Sequence, residues 1–425
     1  MVEPQRFFDQ NIPTEVGYAL HNNLLSQVST PRGTSFTPRI FKEVKPTITC
    51  TNQKSSGRCW IFAALNMLRR DLMTKKKLPP NFQFSQSYMF FWDKLERMNY
   101  NLKLVKKWLS SGKDINSREV QHILKEPFGD GGQWVMFANL VNKYGVVPQD
   151  AYPESTHSSA STGVNLVLSR MFRNFVLQLW EDKLDIDDSL SKTYEVLVRF
   201  FGVPPRDFVW EYKEESGAII QIKTTPQRFA KDICGMDMSQ YVSLTHDPRN
   251  DYMKLYGVDG LGNVEGGQEV KYLNVPIQRM RDITKECIDA NQPVWFGSDV
   301  GQFFKSKDGV LDETHFDYLG YLGIVDHMSK LDRIVLCESL MTHAMVYDGY
   351  HKDSYGNVDY WKIENSWGAD GPYNGHLVCS DNWFREYTYQ LIVPRRFVND
   401  EELAAWNGEI SKHFPLWDPM GSLAL

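Results

Sequence analysis

Cys59 follows Gln53 by six positions in Thr51-Asn52-Gln53-Lys54-Ser55-Ser56-Gly57-Arg58-Cys59-Trp60. Far downstream lie Thr342-His343-Ala344 and Glu364-Asn365-Ser366-Trp367-Gly368. The residue types divide the labour of acyl transfer. A thiolate attacks a carbonyl, an imidazole relays protons, one side-chain amide holds the imidazole ring, and another donates to the oxyanion. Together they read as the machinery of a thiol-dependent amide hydrolase.

These side chains need elements that hold them. Trp60 to Met73 is strong helix material, apolar on most faces, followed by Lys75-Lys76-Lys77 and Pro79-Pro80. Cys59 then stands at the start of a buried helix, where unpaired N–H groups favour a thiolate, and the lysines suit the negative end of the helix dipole. Three charges at a helix end read more simply as a solvated terminus than as a targeting or nucleic-acid signal. Thr342 to Tyr350 and Val358 to Ile363 read as strands around the turn Asp353-Ser354-Tyr355-Gly356-Asn357. A hairpin of that kind would bring His343 and Asn365 together across 22 positions. Asp130-Gly131-Gly132-Gln133-Trp134 precedes a further helix that stops at Gly145 and Pro148; its glycine pair is either a turn or a groove wall open to an extended peptide.

From about Ser155 to Ile324 the character changes. A long helical stretch from Val164 leads through Leu177 and Trp180 into mixed aromatic segments, the pattern of an inserted subdomain. Gly260 to Gly267 misses the dinucleotide fingerprint spacing and reads as a loop.

With 425 residues and a net charge of −6 the chain can bury a large core and is no dedicated polyanion binder. Nucleic acid is not the favoured partner. Nothing approaches a membrane span, and Met1 to Gln10 lacks the apolar core of a secretory signal, so a cytoplasmic location is expected. Six cysteines are scattered without a Cys-x-x-Cys pair, which argues against a disulfide framework or a zinc site. Neither a metal nor an organic cofactor is expected.

Gln-x5-Cys-Trp, a strand histidine and Asn-Ser-Trp-Gly, in that order, resemble the papain-type cysteine peptidases. Phe84-Ser85-Gln86-Ser87-Tyr88 and Tyr144-Gly145-Val146-Val147-Pro148 with Tyr152-Pro153 extend the likeness. The resemblance implies Cys59 as nucleophile, His343 as general base and acid, Asn365 as ring-orienting partner and Gln53 as oxyanion donor beside the Cys59 N–H. Trp367 would shield the Asn365 to His343 bond, and Gly131 and Gly132 would contact the substrate backbone. The departures narrow the match. Cys59 and His343 stand 284 positions apart, about twice the 130–150 of the papain pattern, which calls for an insertion. Ser56 replaces the disulfide cysteine of secreted members, and the 58 residues before Cys59 are too few for a propeptide plus the start of the fold.

These departures, with Val294-Trp295-Phe296-Gly297 and Trp417-Asp418-Pro419-Met420-Gly421, are similar to the bleomycin hydrolase family. That likeness implies an α+β, two-lobed papain-like fold with a large, largely helical insertion. Its expected divisions are an N-terminal extension (1–49), the helical lobe (50–155), the inserted subdomain, an oligomerisation unit (156–325), the β lobe with histidine and asparagine (326–398), and a tail reaching the cleft (399–425). It also implies an aminopeptidase acting on peptides and on bleomycin-type amides, assembled as a homohexamer. Met420 to Leu425 would lie extended in the groove, where the carboxylate of Leu425, or of Ala424 after trimming, attracts the substrate's amino group. A deubiquitinase or transglutaminase also pairs cysteine with histidine, but the paired motifs favour the papain type. The non-enzyme alternative is a hexameric scaffold or nucleic-acid-binding ring.

Overall fold

The computed structural model describes Val28 and residues 37–424. Most of the expected N-terminal extension, and Leu425, lie outside these described residues. The helical lobe opens with α1 (Cys59–Lys76), α2 (Gln86–Ser110) and α3 (Trp134–Tyr144). Ser85 caps α2 by accepting from the Tyr88 N–H at 3.0 Å. α1 stops where Lys77 turns left-handed, with Lys75 and Lys76 in its last turn. Next come α4 (Thr162–Trp180) and α5 (Ile186–Phe201); Asp185 caps α5, and Asp187 and Asp188 face its positive end.

The remaining strands are β1 (Lys42–Glu43), the separate hairpin β2 (Phe208–Lys213) and β3 (Ile219–Thr224), then β4 (Tyr241–Thr245), β5 (Leu255–Val258), β6 (Lys271–Asn274) and β7 (Val294–Ser298). Two short strands, β8 (Phe304–Lys305) and β9 (Val310–Leu311), precede β10 (His343–Lys352), β11 (Val358–Glu364), β12 (His376–Ser380), β13 (Thr388–Pro394) and β14 (Ile410–Phe414). All but β2 and β3 join one sheet in the order β14-β5-β6-β4-β13-β7-β10-β11-β12-β9-β8, with β1 alongside β10. The sheet runs across the expected division at residue 325. The segment 156–325 is mainly helical up to Phe201; its later part, besides the helix Ile277–Asp289, supplies β4 to β9 to the same sheet as β10 and β11. The stretch could not be read as strands because β4 to β7 are only four or five residues long and buried nearly throughout, which leaves little period-2 signal.

Strand alternation divides the core. On β7 and β10, Trp295, Ala344 and Val346 face the helical lobe, while Phe296, Met345 and Tyr347 face the opposite side. That side is covered by Met280, Ile283 and Cys287 of α6 (Ile277–Asp289). No helix among the described residues is long and apolar enough to cross a membrane.

α1 is buried on almost every face, arginines included. Arg69 donates to Glu364 at 3.2 Å, and Arg70 donates to Glu364 at 2.9 Å and Asp348 at 2.8 Å. Asp348 sits where the β10–β11 register shifts by one residue. The oxygen that accepts from Arg70, Oδ2, also meets His376 Nε2 at 3.4 Å, and the carboxylate raises that imidazole's pKa to about 10 despite burial. All four side chains of the arginine–carboxylate cluster are almost inaccessible. Arg70→Met is expected to cost about 3–5 kcal/mol by leaving buried carboxylates short of a cation, measured as a shift in urea unfolding. A loss below about 1 kcal/mol would show that the cluster tolerates one cation fewer.

Candidate active site

The segment before α1 is held by backbone pairing to the segment after β11. Gln53 N–H donates to Ser366 O and Gly368 N–H donates to Thr51 O, both at 2.8 Å. Gly368 has φ +91°, and a Cβ there would stand 2.7 Å from Asn52 Nδ2, so both the conformation and the close approach require glycine. Ser366 Oγ donates to Gln53 Oε1 at 2.6 Å, and Gln53 Nε2 donates one hydrogen to Ser56 O at 2.6 Å. The amide is thereby locked by its oxygen, and its second N–H hydrogen is not used by that bond.

Cys59 is the first residue of α1, whose first turn carries no acidic side chain and no side-chain cap. Ala344 N–H, on β10, points at Cys59 Sγ from 3.5 Å. His343 begins β10 and Asn365 follows β11; their rings and amide meet at 2.9 Å between His343 Nε2 and Asn365 Oδ1. Ser366 N–H donates to the same Oδ1 at 2.8 Å. With that oxygen fixed as acceptor, His343 Nε2 carries the ring proton and Nδ1 is left as the basic nitrogen. The Trp367 indole stacks on His343 with centroids 5.0 Å apart and covers the ring. Trp367 itself is 44 % exposed.

Gly131 and Gly132 are both buried, and Gly132 lies against Trp60, the residue after Cys59. Any Cβ at Gly132 would fall inside the van der Waals surface of the Trp60 indole, and Arg97 donates to Gly131 O. Packing against the residue after Cys59 thus gives Gly132 a reason of its own. Asp130, read from the sequence only as part of a turn, proves to be a hub. It accepts from Gly57 N–H, Lys94 Nζ, Asn165 Nδ2 and Ser161 Oγ, and its backbone oxygen accepts from Trp60 Nε1 at 2.7 Å. Lys94 and these donors hold its carboxyl well below the usual carboxylate range against the opposing effect of burial. A carboxylate two residues from Gly132, with buried Lys94 eight residues into α2, gave no periodic signal by which pairing could be foreseen.

The C-terminal segment closes over this region. Leu416, Met420, Gly421, Leu423 and Ala424 are buried. Gln133 Nε2 donates to Met420 O at 3.5 Å, as does Tyr272 Oη at 3.1 Å. Ser422 Oγ donates to Met341 O at 2.8 Å, and Leu423 Cδ2 lies 3.4 Å from where a Gly297 Cβ would be. Gly297 pairs with Ala344, the residue whose N–H faces Cys59. The expected extended strand is corrected here, because Pro419–Ala424 forms a short 3₁₀ turn. Asp418 accepts from the Met420 and Gly421 N–H groups, and the one Ser422 Oγ hydrogen is shared between Met341 O and Pro419 O, local bonds that an extended tail would forgo. Arg249 grips Asp418 through two bonds, and Arg118 lies over the Trp417 ring at 3.9 Å.

This enclosure alters the expected electrostatics. Burial pushes the Cys59 thiol up to about 11, with the Ala344, Trp60 and Cys59 N–H groups opposing it, and pushes His343 down to about 4 against the Asn365 bond. Burial thus opposes the charged form of both groups, against the pull of the N–H groups at the helix start on the thiolate. All six cysteines are free, and no group of His, Cys, Asp or Glu suited to a metal occurs among the described residues.

The chain matches the Peptidase C1-like family over residues 10–421. It is 39 % identical to aminopeptidase C of Lactococcus lactis subsp. cremoris over 88 % of this chain and 86 % of that protein. It is 36 % identical to human bleomycin hydrolase over 99 % and 95 % of the two chains. The crystal structure of PepW from Lactobacillus rhamnosis HN001 superposes with a TM-score of 0.89 at 33 % identity, covering 98 % of this chain and 96 % of that one.

Because the thiolate fraction of a group near 11 grows as pH rises, iodoacetamide alkylation of Cys59 in the intact protein should accelerate about tenfold per pH unit from 7 to 9. Peptide mapping of the modified thiol measures it. A rate already level at pH 7 would mean that an ion pair is the resting form.

Proposed function

The chain belongs to the Peptidase C1-like family and is a papain-like cysteine aminopeptidase, and from that premise we propose that Cys59, His343, Asn365 and Gln53 remove residues from peptide N-termini. Cys59 Sγ attacks the scissile carbonyl while its proton passes to His343 Nδ1. Gln53 Nε2 and the Cys59 N–H receive the oxyanion. His343 then protonates the departing amine, leaving an acyl-enzyme. A water that gives its proton to the same ring hydrolyses the thioester, and the Asn365 bond keeps the ring in plane through both steps. Substrate entry displaces or reshapes the closing turn, and the pair ionises as the reaction begins.

The observation that carries the aminopeptidase reading is the C-terminal turn packed against Met341, just before β10, and against Gly297 of β7, the residue paired with Ala344. A terminal carboxylate there would meet the substrate's ammonium and leave space for one residue. The 37 % identity to chicken bleomycin hydrolase over 99 % of this chain supports extending the substrates to bleomycin-type amides. Six free thiols support a reducing, cytoplasmic setting, and self-association as a homohexamer belongs to the same proposal.

Cys59→Ala should abolish hydrolysis while leaving the circular dichroism spectrum and melting temperature within a few degrees of the parent. A fluorogenic peptide with a free amino group should be cleaved and its N-acetylated counterpart left intact. Deleting residues 419–425 should bring the acetylated peptide's kcat/KM to within about tenfold of the free one. Unchanged discrimination after that deletion would remove the tail from the mechanism, whereas residual cleavage by Cys59→Ala would remove the nucleophile.

A further inference from the structure

The placing of His343 and the docking of the C-terminal turn converge on one short run of chain. Residues 339–342 lie between the helix Lys330–Val335 and β10, and no regular element holds them. Thr342 leads directly into His343, and Met341 O is the acceptor that Ser422 Oγ of the C-terminal turn reaches at 2.8 Å. A single side chain pins this run on both sides of Met341. Asp299, the residue after β7, accepts from Ser339 Oγ at 2.9 Å through Oδ2. Through Oδ1 it accepts from Thr342 Oγ1 at 3.3 Å, a hydrogen shared with Ser298 O at 3.4 Å. Gln302 Nε2 adds one bond to Asp299 Oδ2 and another to Glu338 O, both at 3.1 Å.

Asp299 is 6 % exposed, and its side-chain partners among the described residues are all uncharged. A buried carboxylate without a cation is costly to keep. What it supplies is two oxygens that gather several donors at one point through charge-assisted bonds. The direction of those bonds is fixed from behind. Tyr389 Oη donates to Ser339 Oγ at 2.6 Å, which commits the Ser339 hydrogen to Asp299. Burial pushes the Tyr389 phenol up to about 12, so it stays a donor. We propose that Asp299 is a positioning residue for the reaction. By holding Ser339 and Thr342 it sets the start of β10, and with it the His343 ring, together with the Met341 carbonyl on which the C-terminal turn is seated. Resting on the tail mechanism proposed above, this arrangement couples the rate of acyl transfer to the preference for a free amino group.

The free and N-acetylated fluorogenic peptides test it in the full chain, with rates referred to the titrated active thiol. Asp299→Ala should lower kcat for the free peptide about tenfold and reduce the free-to-acetylated ratio of kcat/KM about tenfold. Asp299→Asn should restore both to within about threefold of the parent, because its carbonyl oxygen still accepts from Ser339 and Gln302 while Thr342 Oγ1 accepts from its amide. In the chain lacking residues 419–425, Asp299→Ala should still lower kcat but leave the ratio within about twofold. A simple loss of stability would lower cleavage of both peptides together and leave the ratio alone. Should Asp299→Ala fail to fold, Ser339→Ala decides, with an expected fall in the ratio of about threefold or more. A ratio that neither Asp299→Ala nor Ser339→Ala moves overturns the proposal, as does a fall in the ratio that persists in the shortened chain. A parent that cleaves both peptides equally removes the tail mechanism and the coupling with it, whereas a kcat that Asp299→Ala leaves intact overturns the positioning role alone.

Discussion

The arrangement rests on a cluster of buried charge. Arg69 and Arg70 leave α1 and meet Glu364 and Asp348 on β11 and β10. Glu364 is followed directly by Asn365, and α1 begins at Cys59, so the same cluster fixes the helix that carries the thiol against the hairpin that carries its imidazole and amide. Taking four charges out of water is expensive, and an apolar interface of equal volume would hold helix and sheet together as well. What an apolar interface lacks is direction. Three short arginine–carboxylate bonds define the rotation of α1 and its position along the hairpin, and a helix that slid by one turn would strand every charge. The geometry of the reacting groups is thus referred to a fixed point in the interior.

Around that point, adjacent parts of the site restrain one another. Ser366 offers its N–H to Asn365 Oδ1 and its hydroxyl to Gln53 Oε1, so one residue orients the amide that holds the imidazole and the amide beside the nucleophile. Asp130 performs the corresponding task on the other wall, tying Gly57 before the nucleophile to Lys94 of α2 and Asn165 of α4. Neither Ser366 nor Asp130 needs to touch a substrate. Each removes a rotation that a side chain of the proposed catalytic set would otherwise have to lose at the moment of reaction.

The sequence was readable where function constrains residue type and spacing. Cys59 opening an apolar helix and a histidine and an asparagine at the two ends of a strand–turn–strand pattern survive as signals in one dimension, and the structure places them together. The sheet was only half legible. β10 and β11 are long enough to show, but β4 to β7 are short and buried on both faces, a pattern that does not separate strand from helix interior. Arg69 and Arg70 read as ordinary helix charges because nothing local says that their partners lie almost three hundred residues away. The tail's turn was hidden for a different reason: its conformation depends on Asp418 folding back on the next residues and on Arg249 holding that carboxylate, contacts that composition cannot express.

The docked C-terminus also changes how competition at the cleft should be counted. Held by Arg249 and Arg118, the last residues cannot diffuse away, and a tethered segment acts on its site at an effective concentration on the order of millimolar. That occupancy is independent of how much protein or peptide is present. Under the proposed tail mechanism, any molecule that enters would compete with a ligand whose supply never runs down, and one that leaves most of the turn in place would have far less to displace than one that must thread past it. Selectivity of that sort would be a property of the tether, tunable at Asp418 or Trp417 without touching a single group proposed to take part in bond breaking.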